Sequence, residues 1–177
     1  MSRQGALPVW RLPMREQLRV ASRRVLPTVA VVTLLLWMLS HYIAIGPNRT
    51  GSLPIEDYPI ILVLKDGQVP ARGELVGFRP GPNRFYPANS LFVKRLVGLP
   101  GDKVTYESRT FFINGAPVAT TKPRAKDGQI LTPGPVGILP ACRYFVTTDH
   151  PDGYDSRYSD IGWVGCSQIV GRAYALP

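Results

Sequence analysis

Histidine and cysteine are nearly missing from this sequence, with two of each in 177 residues, and that scarcity narrows the chemistry before any motif is considered. A structural zinc site takes about four Cys or His ligands at short paired spacings, and neither Cys-x-x-Cys nor His-x-x-x-His occurs. No metal and no cofactor is expected. His41 lies inside an apolar run and His150 in the turn-like Asp149-His-Pro-Asp-Gly. A Ser-His-Asp triad would therefore have to be built around His150 with Asp149, Asp152 or Asp155 and a distant serine, and an exposed turn residue is the ordinary reading of such a histidine. Beyond the N-terminal run the sequence also lacks long 3.6-periodic segments, heptads and internal repeats.

Acidic residues are outnumbered, 12 against 21 Lys and Arg, for a net charge of +9. The excess is uneven: Arg3, Arg11, Arg15, Arg19, Arg23 and Arg24 stand against Glu16 alone in the first 24 residues. A nucleic-acid surface calls for a basic, aromatic-interleaved patch; none follows, so nucleic acid is not an expected partner.

Charge is then absent altogether from Val25 to Asn48. About 20 mainly apolar residues cross a hydrocarbon core as a helix. Pro27 sits near the start of that run and Tyr42 near its far end, a position suited to an interface. A cleaved secretory signal shares the basic-then-apolar order, but its apolar region is shorter, about 7–15 residues, and ends in an Ala-x-Ala-like site; no such site lies between Leu39 and Gly46. The expected organisation is a cytoplasmic basic segment (1–24), a transmembrane helix (25–46) and an extracytoplasmic β-rich domain (47–177), oriented by the excess of arginine before the span. In an exported domain Cys142 and Cys166 read as a disulfide, with two unpaired buried thiols as the alternative.

The high content of Pro and Gly, 18 and 17 residues, favours short strands broken by turns. Strand-like runs occur at 59–64, 73–78, 90–97, 103–106, 110–113, 117–119, 143–148 and 167–174. Asn114-Gly115 between two of them is a hairpin signal, because a type I′ turn needs positive φ at both central residues. Residues 121–137 form a polar, Pro- and Gly-rich surface insertion.

With histidine scarce, lysine is the remaining general base, and it serves only when burial lowers its pKa from about 10.4. Lys65, Lys103, Lys122 and Lys126 have polar neighbours, whereas Lys94 stands in Ser90-Leu-Phe-Val-Lys-Arg-Leu-Val. In a strand, Phe92, Lys94 and Leu96 share one face, and Leu91, Val93, Arg95 and Val97 the other. One of the two charges must escape or be paired. Pattern does not distinguish one hydroxyl among nine serines, but Ser52 follows the apolar run closely, in the connector Gly46-Pro-Asn-Arg-Thr-Gly-Ser-Leu-Pro.

Three stretches together resemble the type I signal peptidases and, within them, the TraF-type conjugative-transfer peptidases. Phe92-Val-Lys-Arg-Leu-Val-Gly-Leu-Pro-Gly-Asp-Lys-Val is similar to the family's lysine box, Thr50-Gly-Ser-Leu-Pro to its serine box, and Asp155-Ser-Arg-Tyr, with Gly162 beyond, to its Asp-Ser-Arg box. The resemblance implies a mainly β, signal-peptidase-like exported domain on one N-terminal transmembrane helix, placed in a bacterial inner membrane with the catalytic domain periplasmic. It implies a serine endopeptidase with Ser52 as nucleophile, Lys94 as general base, the Ser52 amide and Thr50 hydroxyl as oxyanion hole, and Asp155 orienting or tuning the site. Arg95 and Arg157 have the look of structural residues. The implied substrate is an exported precursor, a conjugative pilin subunit in the TraF-type branch, where processing can end in cyclisation. A general signal peptidase and a non-catalytic component of a conjugation or secretion complex are the alternatives. Thr148-Asp-His-Pro-Asp-Gly-Tyr, where general signal peptidases carry Gly-Asp-Asn-Arg, favours the TraF-type branch; Glu56 and Asp57 after the serine box depart from it.

Overall fold

The computed structural model describes residues 13–47, 59–87 and 89–176, which fall into two compact units, 1–41 and 42–177. Thr50 and Ser52 lie outside the described residues.

The described residues of the first unit hold one helix, α1 (Met14–Tyr42). Val25–Tyr42, with mean hydropathy 1.7 and none of its residues buried, is long and apolar enough to cross a membrane. Two boundaries differ from expectation. The helix begins inside the basic segment, at Met14, so Pro27 is interior to it and removes one i→i−4 hydrogen bond instead of occupying a cost-free first turn. It also stops at Tyr42 rather than continuing to residue 46, because Ile43–Pro47 is a strand.

The second unit is mainly β. Its strands are β1 (Ile43–Pro47), β2 (Ile60–Leu64), β3 (Leu75–Phe78), β4 (Phe92–Gly98), β5 (Lys103–Glu107), β6 (Thr110–Ile113), β7 (Ala116–Thr120), β8 (Gly137–Ile138), β9 (Arg143–Thr147), β10 (Val164–Gly165) and β11 (Ile169–Leu176). They form a seven-stranded sheet, β1-β2-β11-β3-β4-β9-β10, and a four-stranded sheet, β7-β6-β5-β8, with every pairing antiparallel. Consecutive neighbours such as β5, β6 and β7 are joined by short turns, whereas β11 pairs with β2 and β3 from much later in the sequence.

Asn114 and Gly115 both have positive φ, +51° and +86°, as the type I′ hairpin between β6 and β7 requires. The larger sheet buries a cluster around Val76, Phe78, Leu96, Val146 and Val164, and a second around Ile61, Val63, Leu75 and Ala173. A third, around Val104, Phe111 and Phe145, joins it to the smaller sheet. The insertion at 121–137 is fastened down: Thr121 and Leu131 are buried, Lys122 N–H donates to the Tyr158 hydroxyl over 3.0 Å, and Gly134 N–H donates to the Arg157 carbonyl over 2.9 Å. Cys142 and Cys166 stand with Cα atoms 5.0 Å apart, a separation that a disulfide spans.

Candidate active site

β4 sorts its two adjacent charges by strand alternation. Lys94 turns to the face it shares with buried Leu96 and is itself only 5% exposed. Arg95 turns to the other face and escapes, donating from its guanidinium to the Gly73 carbonyl over 2.6 Å.

β9 pairs with β4 through Arg95↔Thr147 and Leu96↔Val146, and carries the Asp-Ser-Arg segment to the Lys94 face. Val146 N–H donates to Ser156 Oγ and Ser156 N–H returns a bond to the Val146 carbonyl, each 3.1 Å. Asp155, Ser156 and Arg157 are all buried. The Asp155 carboxylate is fully engaged: Arg157 Nε donates to Oδ1 over 2.8 Å, Arg157 Nη2 to Oδ2 over 3.0 Å, and Thr148 N–H to Oδ2 over 3.2 Å. The remaining guanidinium nitrogen, Nη1, donates to the carbonyls of Thr120 and His150. Arg157 thus ties the start of the insertion and the 149–153 turn to one buried carboxylate.

Burial is the dominant influence on Lys94 and pushes its pKa down to about 8; the Asp155 carboxylate opposes this and the Arg157 cation adds to it. A lysine in this position is neutral in a substantial fraction of molecules at mildly alkaline pH, as a general base must be.

Lys94 lines a cleft of about 1140 Å³. One wall is aliphatic, with Ile45 and Pro47 from β1 and Ile61 and Val63 from β2. Aromatic rings also line the cleft: Tyr86 stacks on Tyr154 and Tyr154 on Tyr158, with ring centroids 5.8 and 6.0 Å apart. β1 and β2 are joined by the segment holding Thr50 and Ser52, so the strands on either side of that segment both line the cleft that holds Lys94. Lys94 and Asp155 are brought together; Thr50 and Ser52 lie outside the described residues. His150 lines the same cleft, but its Nδ1 accepts the Asp152 amide over 3.1 Å, the ordinary role of a turn residue.

Several cleft residues have no signal in the sequence. Tyr86 and Tyr154 lie far apart in the sequence, and Lys122, Arg124 and Lys126 sit in the insertion, where nothing local indicates that they border the cleft.

The family model for signal peptidase, peptidase S26, matches residues 18–176. Signal peptidase I of Bacillus caldolyticus is 26% identical over 155 residues, covering 80% of this chain and 81% of that protein. Signal peptidase I of Pseudomonas fluorescens is 32% identical over 161 residues, covering 70% of this chain and 53% of the relative. A signal peptidase I of Enterococcus faecalis V583 of known crystal structure is 25% identical, with a TM-score of 0.39 over 59% of this chain and 97% of that one.

Proposed function

Because the chain belongs to the signal peptidase family, peptidase S26, whose members are serine endopeptidases acting on exported precursors, we propose that it cleaves such precursors with a Ser52–Lys94 dyad. The observation that carries this is the burial of Lys94, at 5% exposure, on the cleft lined by the two strands that flank the Ser52 segment.

In this reading Ser52 Oγ attacks the scissile carbonyl while neutral Lys94 Nζ takes its proton. The oxyanion is held by the Ser52 amide and the Thr50 hydroxyl, a kind of donor whose loss costs about 10²–10³ in rate. Lys94 returns the proton to the leaving amine, then takes one from the water that resolves the acyl-enzyme. Asp155 acts through its charge on Lys94 and through Arg157, without touching substrate. In the same reading α1 anchors the domain with its arginine-rich end cytoplasmic, by the excess of arginine before the span, and the cleft works on the periplasmic side of an inner membrane. There Cys142 and Cys166 form a disulfide, testable by their resistance to alkylation before reduction.

The substrate is an exported precursor. The region around Thr148–Tyr154 and the Asp155 box support the narrower reading, a conjugative pilin subunit whose amine can replace water and close a ring. The two relatives described above, both signal peptidase I proteins, favour a general signal peptidase instead. Mass spectrometry of the mature product separates the two, since a cyclic product is one water lighter than the linear chain. The dyad itself is tested by Ser52→Ala and Lys94→Ala: each abolishes precursor processing with folding and membrane insertion intact. Normal processing in either variant rejects it, and assembly function surviving in both favours the non-catalytic component.

A further inference from the structure

The cleft beside Lys94 has a charged edge that peptide-bond cleavage does not require. Lys122, Arg124 and Lys126 all line it. Among the described lining residues Asp152 is the one carboxylate, and Lys122 Nζ and Lys126 Nζ take one of its oxygens each. Arg124 donates to the Gly128 carbonyl over 2.9 Å and meets no carboxylate among the described residues. Three cations against one anion leave this edge with an excess of two positive charges.

The edge is held in place. Arg124 and Ile130 form a β-bridge, Leu131 N–H donates to the Pro123 carbonyl over 3.0 Å, and Leu131 is buried. Lys122 N–H is fixed on Tyr158, and Arg157, the neighbour that depresses Lys94, holds both the Thr120 carbonyl before the insertion and the His150 carbonyl beside Asp152. The cations therefore stand at a set position relative to the base. The other walls of the cleft offer aliphatic and aromatic surface, so a side chain that meets this edge meets a positive potential against low-dielectric walls.

We propose that Lys122, Arg124 and Lys126 form a specificity site that takes a carboxylate side chain of the precursor segment bound beside Lys94. The inference rests on the peptidase reading and adds a substrate feature to it: an Asp or Glu at one defined position near the scissile bond.

The test uses the full chain in detergent and a precursor peptide series with Asp, Asn or Lys placed in turn at each position either side of the scissile bond. At one position, kcat/KM is expected to be about five- to tenfold higher for Asp than for Lys at low salt, and the ratio shrinks as salt screens the edge. In Arg124→Glu/Lys126→Glu the ratio at that position inverts while the thermal transition stays in place, Lys126 being 83% exposed. Equal rates at every position, or a ratio untouched by the double variant, overturn the inference. Binding of the Asp and Lys peptides to Ser52→Ala, read by fluorescence anisotropy, separates this from failure of the dyad: a charge preference in binding that the two substitutions invert supports the site, and its absence rejects the site whatever the fate of cleavage.

Discussion

Arg157 Nε donates to Asp155 Oδ1 across 2.8 Å, with the two side chains 2% and 0% exposed. An ion pair held this far from water costs much to desolvate and is kept in balance by its hydrogen bonds. Here Thr147, Thr148 and the Arg157 backbone supply them. Removing one partner leaves the other charge stranded, so Arg157→Met is expected to lower unfolding free energy by about 3–5 kcal/mol. Asp155→Leu/Arg157→Met should recover much of that loss. Urea denaturation of the four proteins in the cycle checks it, and additive losses would show that the pair is not the unit of stability.

The same two residues set the working pH of Lys94, with opposite signs. The wild-type kcat/KM should rise through a midpoint near the Lys94 pKa of about 8, since only the neutral amine accepts the serine proton. Asp155 favours the charged lysine and Arg157 disfavours it. Asp155→Asn therefore moves the midpoint to lower pH and Arg157→Met moves it to higher pH. Rate–pH profiles of the three proteins decide this, and a wild-type midpoint near the free-lysine value of about 10.4 would remove Lys94 as a desolvated base.

Burial of Lys94 also has a thermodynamic cost whose sign is open to test. Its folded pKa, about 8 against the ordinary lysine value of 10.5, means that between those limits the unfolded chain binds the extra proton. Stability from this residue therefore rises with pH across that window and is lowest below it. The full difference is on the order of 3 kcal/mol. Lys94→Met should be more stable than wild type near neutral pH, with the advantage shrinking as pH rises from about 8 to about 10. Denaturation midpoints measured for both proteins across that range provide the check; a constant difference would contradict it.

How much of this was legible in the sequence depends on how local each feature is. Strand alternation puts Lys94 and Arg95 on opposite faces, but both faces are mainly apolar, so the pattern leaves open which of the two charges is buried. The Asn114-Gly115 turn was equally local, since its backbone angles are a property of two residues. β1 was hidden for a physical reason: Ile43-Ala-Ile continues the apolar run of α1, and composition alone does not separate a helix end from a strand that pairs with β2. β8 and β10, two residues each, exist only through partners distant in sequence. The sequence shows residues 121–137 only as a surface insertion, because the position of the charged cleft edge depends on Arg157 and Tyr158, which no pattern within residues 121–137 reveals.

That dependence leads to a last prediction, at Gly134. Pro133 bridges to Tyr158 and Gly134 N–H donates to the Arg157 carbonyl over 2.9 Å, so the insertion lies backbone to backbone against the Asp155–Arg157 segment. A Cβ at Gly134 would fall 2.3 Å from the Ser156 carbonyl oxygen, which is main chain and has no rotamer with which to yield. Gly134→Ala must push apart the insertion and the segment that positions Asp155 and Arg157 around Lys94. Overpacking of this kind costs typically about 1–3 kcal/mol. The displacement should also lower kcat and shift the pH midpoint of activity, because it alters the charges facing Lys94. Gly81, where a Cβ would meet nothing within 4 Å, is the control: Gly81→Ala should leave stability within about 0.5 kcal/mol and the pH profile unchanged. If Gly134→Ala destabilises the protein yet keeps the wild-type midpoint, the insertion is a structural prop and does not help set the chemistry of the lysine.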